Sequence, residues 1–176
     1  VTVRPLALFE SFLPGPDQRS FRFDGLEAVL EATTPAEVLP VLAAVEAAVA
    51  AGRHAAGFIS YEAAPGLDPA LPTQAVGTLP LIHFGIFTER VAVAPGTIAV
   101  PGDCRLLEPQ PSWAETAYAA AFAAVKEYIA AGDTYQVNYT LKLLFAWSGS
   151  VEALYRDLRH NQTVPFGACI RRDEER

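Results

Sequence analysis

Apolar and polar positions along this chain change period several times, and each change marks an element. Residues 135–147 place Tyr135, Val137, Tyr139, Leu141, Leu143, Phe145 and Trp147 on one parity, with Gln136, Asn138, Thr140 and Lys142 between them. Alternation of this kind predicts a long β-strand with the apolar row inward. Near the N-terminus "VRPLALFESF" predicts a short strand stopped at "LPGPDQ", and "RSFRFDG" a second, with Phe21 and Phe23 on one face and Ser20 and Arg22 on the other. The period then becomes helical. Thr34, Pro35 and Glu37 form a capping-box start, Val38, Val41, Leu42, Val45 and Val49 follow at helical spacing, and Gly52 supplies the stop.

Ala55 to Tyr61 predicts a strand that breaks into the loop "EAAPGL". "LPLIHFGIFTERVAV" predicts one or two strands with a turn near Thr88–Arg90, and "GTIAV" a further short one. The proline-interrupted "PGDCRLLEPQPSW" is the best boundary. It divides the chain into residues 1–111 and 112–176. Beyond it Ser112 and Glu115 predict a helix start, Tyr118, Phe122, Val125 and Ile129 its apolar stripe, and Gly132 its end. Ser150 caps a third helix with Val151, Leu154, Tyr155 and Leu158 on one face, and "PFGACIRR" opens another strand. Strands in close succession with a few helices predict an α+β fold, mainly antiparallel sheet covered by helices.

Composition removes several function classes. The chain has 176 residues, 13 basic and 20 acidic, for a formal charge of −7. That length suffices for a real core. No basic stripe of the kind nucleic acid requires is present, Arg171 and Arg172 being the nearest approach. No apolar run is long enough to span a bilayer, so a cytoplasmic protein is expected. Cys104 and Cys169 stand far apart, and His54, His83 and His160 fall in different elements, so no metal-ligand spacing emerges.

The order of Trp113, Tyr118, Val125, Ile129, Gly132, Asp133, Tyr135, Gln136, Asn138 and Thr140 resembles the start of the chorismate-binding domain in the aminodeoxychorismate synthase component I family. "RSFRF" and "AAGFISYEAAPGLDPAL" are similar to the N-terminal region of the same subunit, and "NQTVPFGACIR" to its following strand. Anthranilate synthase component I shares the architecture, but usually has an apolar residue where Asn138 stands. The resemblance implies the N-terminal part of an enzyme that converts chorismate and ammonia to 4-amino-4-deoxychorismate for para-aminobenzoate and folate synthesis. It also implies a glutamine amidotransferase partner and Mg²⁺ in the complete enzyme. The family's catalytic lysine segment and metal-binding glutamates are absent from residues 1–176, so no catalytic or metal-binding residue is expected in this chain. The rivals are an anthranilate synthase component I fragment and a non-catalytic module that binds tryptophan or docks on a partner subunit.

Two sets of site residues follow. Gln136, Asn138, Thr140 and Lys142 are either lining of the substrate pocket or, equally, a structural polar network with a solvated lysine. By resemblance to relatives that bind tryptophan, Glu10, Ser11, Pro165 and Phe166 are candidates for a tryptophan site: a ring and a proline can sandwich an indole, with polar groups at the amino-acid end. Against this stands plain core packing of Phe166 and a turn role for Ser11.

Overall fold

The computed structural model describes residues 6–13, 15, 19–75, 77–96, 102–162 and 164–172. The strand expected at Thr97 to Val100 and most of the "LPGPDQ" turn lie outside these residues. The elements are β1 (Leu6–Ser11), β2 (Ser20–Ala32), α1 (Val38–Ala50), β3 (His54–Ile59), the one-turn helix α2 (Ala64–Leu67), β4 (Ile82–Val93), β5 (Cys104–Pro111), α3 (Glu115–Ala131), β6 (Leu143–Gly149), α4 (Val151–Asn161) and β7 (Phe166–Arg171). The fold is α+β with antiparallel sheets. Two compact units emerge, Val1–Ala99 with Leu158–Arg176, and Val100–Asp157. Among the described residues no helix is long and apolar enough to cross a membrane.

The first unit holds a five-stranded sheet in the order β3-β4-β2-β1-β7. Its central ladder joins β2 to β4 from Ser20–Val93 to Ala32–Ile82, with one irregularity between Leu26 and Ala28. β2 therefore runs well beyond the short "RSFRFDG" strand. β4 is also continuous through Thr88–Arg90, where a turn was expected. The reason is pairing: Phe23 and Asp24 oppose Arg90 and Glu89, so the polar residues point outward from an unbroken ladder. Arg90 also lays its guanidinium over the Phe21 ring, 4.5 Å from its centre.

α1 begins after a single 3₁₀ turn at Pro35–Glu37. Glu37 Oε2 accepts from the Thr33 and Thr34 N–H groups at 2.8 and 2.9 Å, taking up donors that a helix start leaves open. Val38 is fully buried with Ala32, Ala63, Leu81 and Ile82, and Val41, Leu42 and Phe84 pack on this cluster. The helix thus buries Val38 and Val45 and packs Val41 and Leu42 against the cluster, whereas Val49, the last residue of the predicted stripe, is exposed. A second cluster joins Ala7, Ala56 and Phe87, with Phe9, Phe23 and Leu26 against it. The expected loop after β3 is instead a 3₁₀ turn, Tyr61–Ala63, running into α2, which seats Ala63 in the first cluster.

In the second unit β5 and β6 form an antiparallel ribbon, with Cys104 opposite Gly149 and Pro111 opposite Leu143. The proline-interrupted segment is therefore a strand over Cys104–Pro111. α3 starts at Glu115, with Ala114 at the N-cap in an extended conformation. Ser112 does not cap it. Its hydroxyl accepts from the Lys142 N–H at 3.1 Å while its own N–H donates to the Lys142 carbonyl at 2.8 Å, one further rung of the ribbon. α3 ends as expected. Gly132 adopts φ 83°, and the Gly132 and Asp133 N–H groups bond back to Ile129 and Tyr128.

The long strand expected over residues 135–147 exists only from Leu143 to Gly149. A strand needs a partner for its N–H and C=O groups. β5 runs out at Pro111 and Ser112, opposite Leu143 and Lys142, so residues 135–141 have no ladder to join. The packing expectation also fails. Tyr135 is 92% exposed, β6 is exposed throughout, and Phe122 on α3 is 49% exposed. Only Tyr139 turns back, stacking on Tyr118 at 5.2 Å and meeting the edge of Trp113 at 5.8 Å. α4 differs as well. Ser150 does cap it, accepting from the Ala153 N–H at 3.0 Å, but Ala153 is the buried residue while Val151 and Leu158 are exposed.

Candidate functional site

β1 and β7, the first and last strands among the described residues, meet at one edge of the five-stranded sheet. β1 and β7 pair antiparallel over their whole lengths, which sets Ser11 directly opposite Phe166 and Glu10 opposite Gly167. The Phe12 N–H donates to the Pro165 carbonyl at 2.8 Å, one step past the ladder. Glu10, Ser11, Pro165 and Phe166 are therefore neighbours, although more than 150 residues separate the pairs in sequence. Opposed residues of an antiparallel pair share a face, so the Ser11 and Phe166 side chains lie on the same side of the sheet.

Their environments differ sharply. Phe166 is 66% exposed, so it is not packed in a core. Ser11 is buried, and its N–H donates to Ser20 Oγ at 3.0 Å, joining the start of β2 to the corner. Glu10 is buried on the opposite face. Its carboxylate accepts from Arg159 Nη1 at 3.0 and 3.2 Å and from the Gly96 N–H at 2.6 Å. Arg159, from the last turns of α4, also sits 5.8 Å from the Phe12 ring. A carboxylate with only 1% of its side chain exposed requires such partners, because an unpaired buried charge is costly.

Glu10 is thus a bracket that ties β1, the Gly96 turn and α4 together behind the Ser11–Phe166 pair. Sequence reasoning missed Arg159 and Gly96. A lone arginine near a helix C-terminus carries no signal that its partner lies 149 residues upstream. Chemically the corner offers an exposed aromatic ring, a neighbouring proline and a serine, on a frame held rigid by the buried ion pair.

The second candidate set lies in the other unit, on the irregular segment between α3 and β6. Gln136, Asn138, Thr140 and Lys142 are all exposed. Gln136 Nε2 donates to Asn138 Oδ1 at 3.1 Å, and Thr134 Oγ1 donates to the Gln136 carbonyl at 3.1 Å. These are contacts between close neighbours in sequence. The nearest buried feature is Tyr139, whose hydroxyl is shut off from solvent without a hydrogen-bond partner. Burial pushes its phenol above the ordinary tyrosine value, with the adjacent Tyr118 adding to the shift. Tyr118 continues the stack onto Phe122 at 6.3 Å.

Neither set offers a metal centre. Among the described residues no three His, Cys, Asp or Glu side chains come together as ligands.

Residues 97–176 match the family model of the chorismate binding enzymes. The match covers less than half of the chain and includes the whole 132–142 segment. No curated protein matches the chain.

Proposed function

We propose that this chain is the N-terminal part of a chorismate-utilising enzyme, specifically an aminodeoxychorismate synthase component I. The observation that carries the reading is the match of residues 97–176 to the chorismate binding enzymes. Within that stretch, Tyr135–Gln136–Val137–Asn138 favours the aminodeoxychorismate branch over anthranilate synthase component I, on the polar residue at 138. In the complete enzyme ammonia, passed from a glutamine amidotransferase partner, displaces the chorismate hydroxyl. The hydroxyl leaves as water and 4-amino-4-deoxychorismate remains. A cytoplasmic setting and a role in para-aminobenzoate and folate synthesis accompany this reading.

The chain's own contribution is a scaffold. No step is assigned to its residues, because the described residues hold no metal-ligand cluster and residues 1–176 lack the family's lysine segment. The exposed apolar residues of β6 and α3 support the same reading, since a ribbon and helix with no buried residues need cover from further protein. Gln136, Asn138, Thr140 and Lys142 are then pocket-lining candidates in the complete enzyme.

The test uses the full reading frame that contains these residues, with chorismate, ammonia and Mg²⁺, and product analysis by mass. 4-Amino-4-deoxychorismate is expected, and residues 1–176 alone should give none above a protein-free control. Anthranilate as the product would move the chain to the sister branch, and no chorismate consumption would end the reading.

A second reading has its own observation. The adjacency of Glu10–Ser11 and Pro165–Phe166 supports a tryptophan site at the β1–β7 corner, with or without catalysis elsewhere. Calorimetric titration of the chain with tryptophan should give binding that Phe166→Ala abolishes. Heat indistinguishable from dilution would dismiss the site.

A further inference from the structure

β3 is an edge of the five-stranded sheet, paired with β4 on one side and, among the described residues, with no strand on the other. One hydrogen bond tells which of its backbone groups face outward. The Ser60 N–H donates to the Leu81 carbonyl at 2.9 Å, one step past the β3–β4 ladder. The C=O and N–H of a trans peptide point opposite ways, so the Ile59 carbonyl points away from β4. Alternation along the strand then turns the N–H and C=O groups of Ala55, Gly57 and Ile59 to the open side, and those of His54, Ala56 and Phe58 to β4. Among the described residues no hydrogen bond reaches the backbone of Ala55, Gly57 or Ile59 from that side.

This edge is firmly held and carries none of the usual guards. Ala56 is buried with Ala7 and Phe87, and the Phe58 ring stacks on His83 with centres 5.5 Å apart, which fixes β3 on the sheet. Edge strands are commonly blunted by charge, proline or a bulge. "HAAGFI" contains no proline, lysine, arginine or carboxylate, and its register with β4 is unbroken. An extended strand with open N–H and C=O groups at every second position is a template for one more strand.

The sequence itself says which strand fits. Where two copies of β3 meet antiparallel, the bonded pairs must join outward-facing residues, so the two-fold axis passes through a residue. Centred on Gly57, Gly57 faces Gly57, and Ala55 faces Ile59 of the second copy. Every outward N–H and C=O of the strand is then paired. At the intervening positions Ala56 faces Phe58. Each large side chain, Phe58 or Ile59, thus stands opposite an alanine, and no two ionisable groups meet. An axis at Phe58 would set ring against ring, and one at Ala56 would set Ile59 against Arg53.

We propose that this chain pairs with a second copy of itself, β3 against β3 about a two-fold axis at Gly57, so that two five-stranded sheets become one. A single strand pair is a small contact, so the dimer is weak and forms as concentration rises. The proposal rests on the β3 edge alone and does not depend on the chorismate reading.

Sedimentation of the chain from micromolar to near-millimolar concentration, together with amide hydrogen exchange by NMR, is the test. The mass is expected to rise from 18.9 kDa toward twice that value. Over the same range the amides of Ala55, Gly57 and Ile59 should gain protection. Ala55→Pro removes an outward N–H and no bond to β4, and proline is tolerated on an open edge. Ile59→Lys sets a charge on the edge at a half-exposed position. Each variant should weaken the dimer about tenfold or more, the proline by removing two hydrogen bonds per dimer. Gly57 is no position for a variant, because a Cβ there would collide with the His83 carbonyl. Three results would each overturn the proposal. One is a chain that stays monomeric at near-millimolar concentration. Another is a dimer in which the three amides exchange freely, as association through the exposed β6 would give. The third is undiminished association in a folded Ala55→Pro or Ile59→Lys chain.

Discussion

Replacing Arg159 with glutamine should unfold the first unit more readily than any change at an exposed ion pair. The carboxylate of Glu10 is 1% exposed and Arg159 17% exposed, with their contact at 3.0 Å. Removing the arginine leaves a buried carboxylate with the Gly96 N–H as its remaining strong donor among the contacts described above. Breaking a buried pair in this way costs about 3–5 kcal/mol. The Gly96 hydrogen bond argues for the lower end, and about 3 kcal/mol already changes the folded-to-unfolded ratio by roughly two powers of ten. Glu10→Gln should cost less, because Arg159 retains access to water while the amide oxygen still accepts from Gly96. The double variant should then be more stable than Arg159→Gln alone, the signature of a coupled pair. Urea unfolding must be read from backbone NMR signals of β1 and β7, since both tryptophans, Trp113 and Trp147, lie in the other unit. A cost for Arg159→Gln below about 1 kcal/mol, the range of exposed pairs, would refute the bracket.

Two other changes probe helix ends. Glu37 has its carboxyl held below the ordinary value, first by the Thr33 N–H, then by the Thr34 N–H and the Thr33 hydroxyl. A depressed carboxyl adds stability above its unfolded value, near 4.5, that is lost as pH falls through the lower folded value. Glu37→Gln should therefore flatten the acid limb of the melting-temperature curve and lower the plateau at neutral pH; identical acid limbs would contradict the cap. Gly132→Ala places a Cβ at φ 83° with nothing within 4 Å, so the cost is backbone strain alone, on the order of 1 kcal/mol. It should fray the last turn of α3 in hydrogen exchange, and an unchanged exchange pattern would show that the left-handed cap is dispensable.

How much of this was legible depended on whether the deciding interaction was local. The α1 start was readable because Thr34, Pro35 and Glu37 are adjacent, and the α3 stop because one glycine decides it. β2 and β4 were under-read because their lengths are fixed by each other. "LEAVLEA" carries helix-forming residues, yet its ladder with Ile82–Phe87 makes it strand. The Glu10–Ser11 and Pro165–Phe166 positions came from resemblance, and the β1–β7 register makes them neighbours in space. The contacts of Glu31 with His83 and Arg172 were not found, since their members come from β2, β4 and the residue after β7, and each looks ordinary alone.

Tyr139 tests the reading of the segment on which sequence and structure disagree most. Its row alternates as a buried strand would, yet the chain leaves strand geometry there and Tyr139 alone folds inward, onto Tyr118 and Trp113. The hydroxyl comes with the ring, is shut off from solvent and finds no partner. Deleting a buried polar atom that has no hydrogen bond removes a desolvation penalty and no interaction. Tyr139→Phe should therefore leave the second unit at least as stable at neutral pH, with the aromatic stack intact. The pH dependence is more discriminating. A phenol raised by burial keeps its proton in the folded state while the unfolded chain releases its own near pH 10, so wild type loses stability as pH rises through that value. Tyr61, Tyr128, Tyr135 and Tyr155 contribute alike to both proteins, so the difference between them reports Tyr139 and its contact with Tyr118. Fluorescence of Trp113, whose ring meets the Tyr139 ring, should report melting of this unit between pH 8 and 11. Tyr139→Phe should melt progressively later than wild type toward the alkaline end. Parallel curves, or a variant less stable at pH 7, would mean that the hydroxyl is solvated or bonded, and that residues 135–142 do not fold back as described.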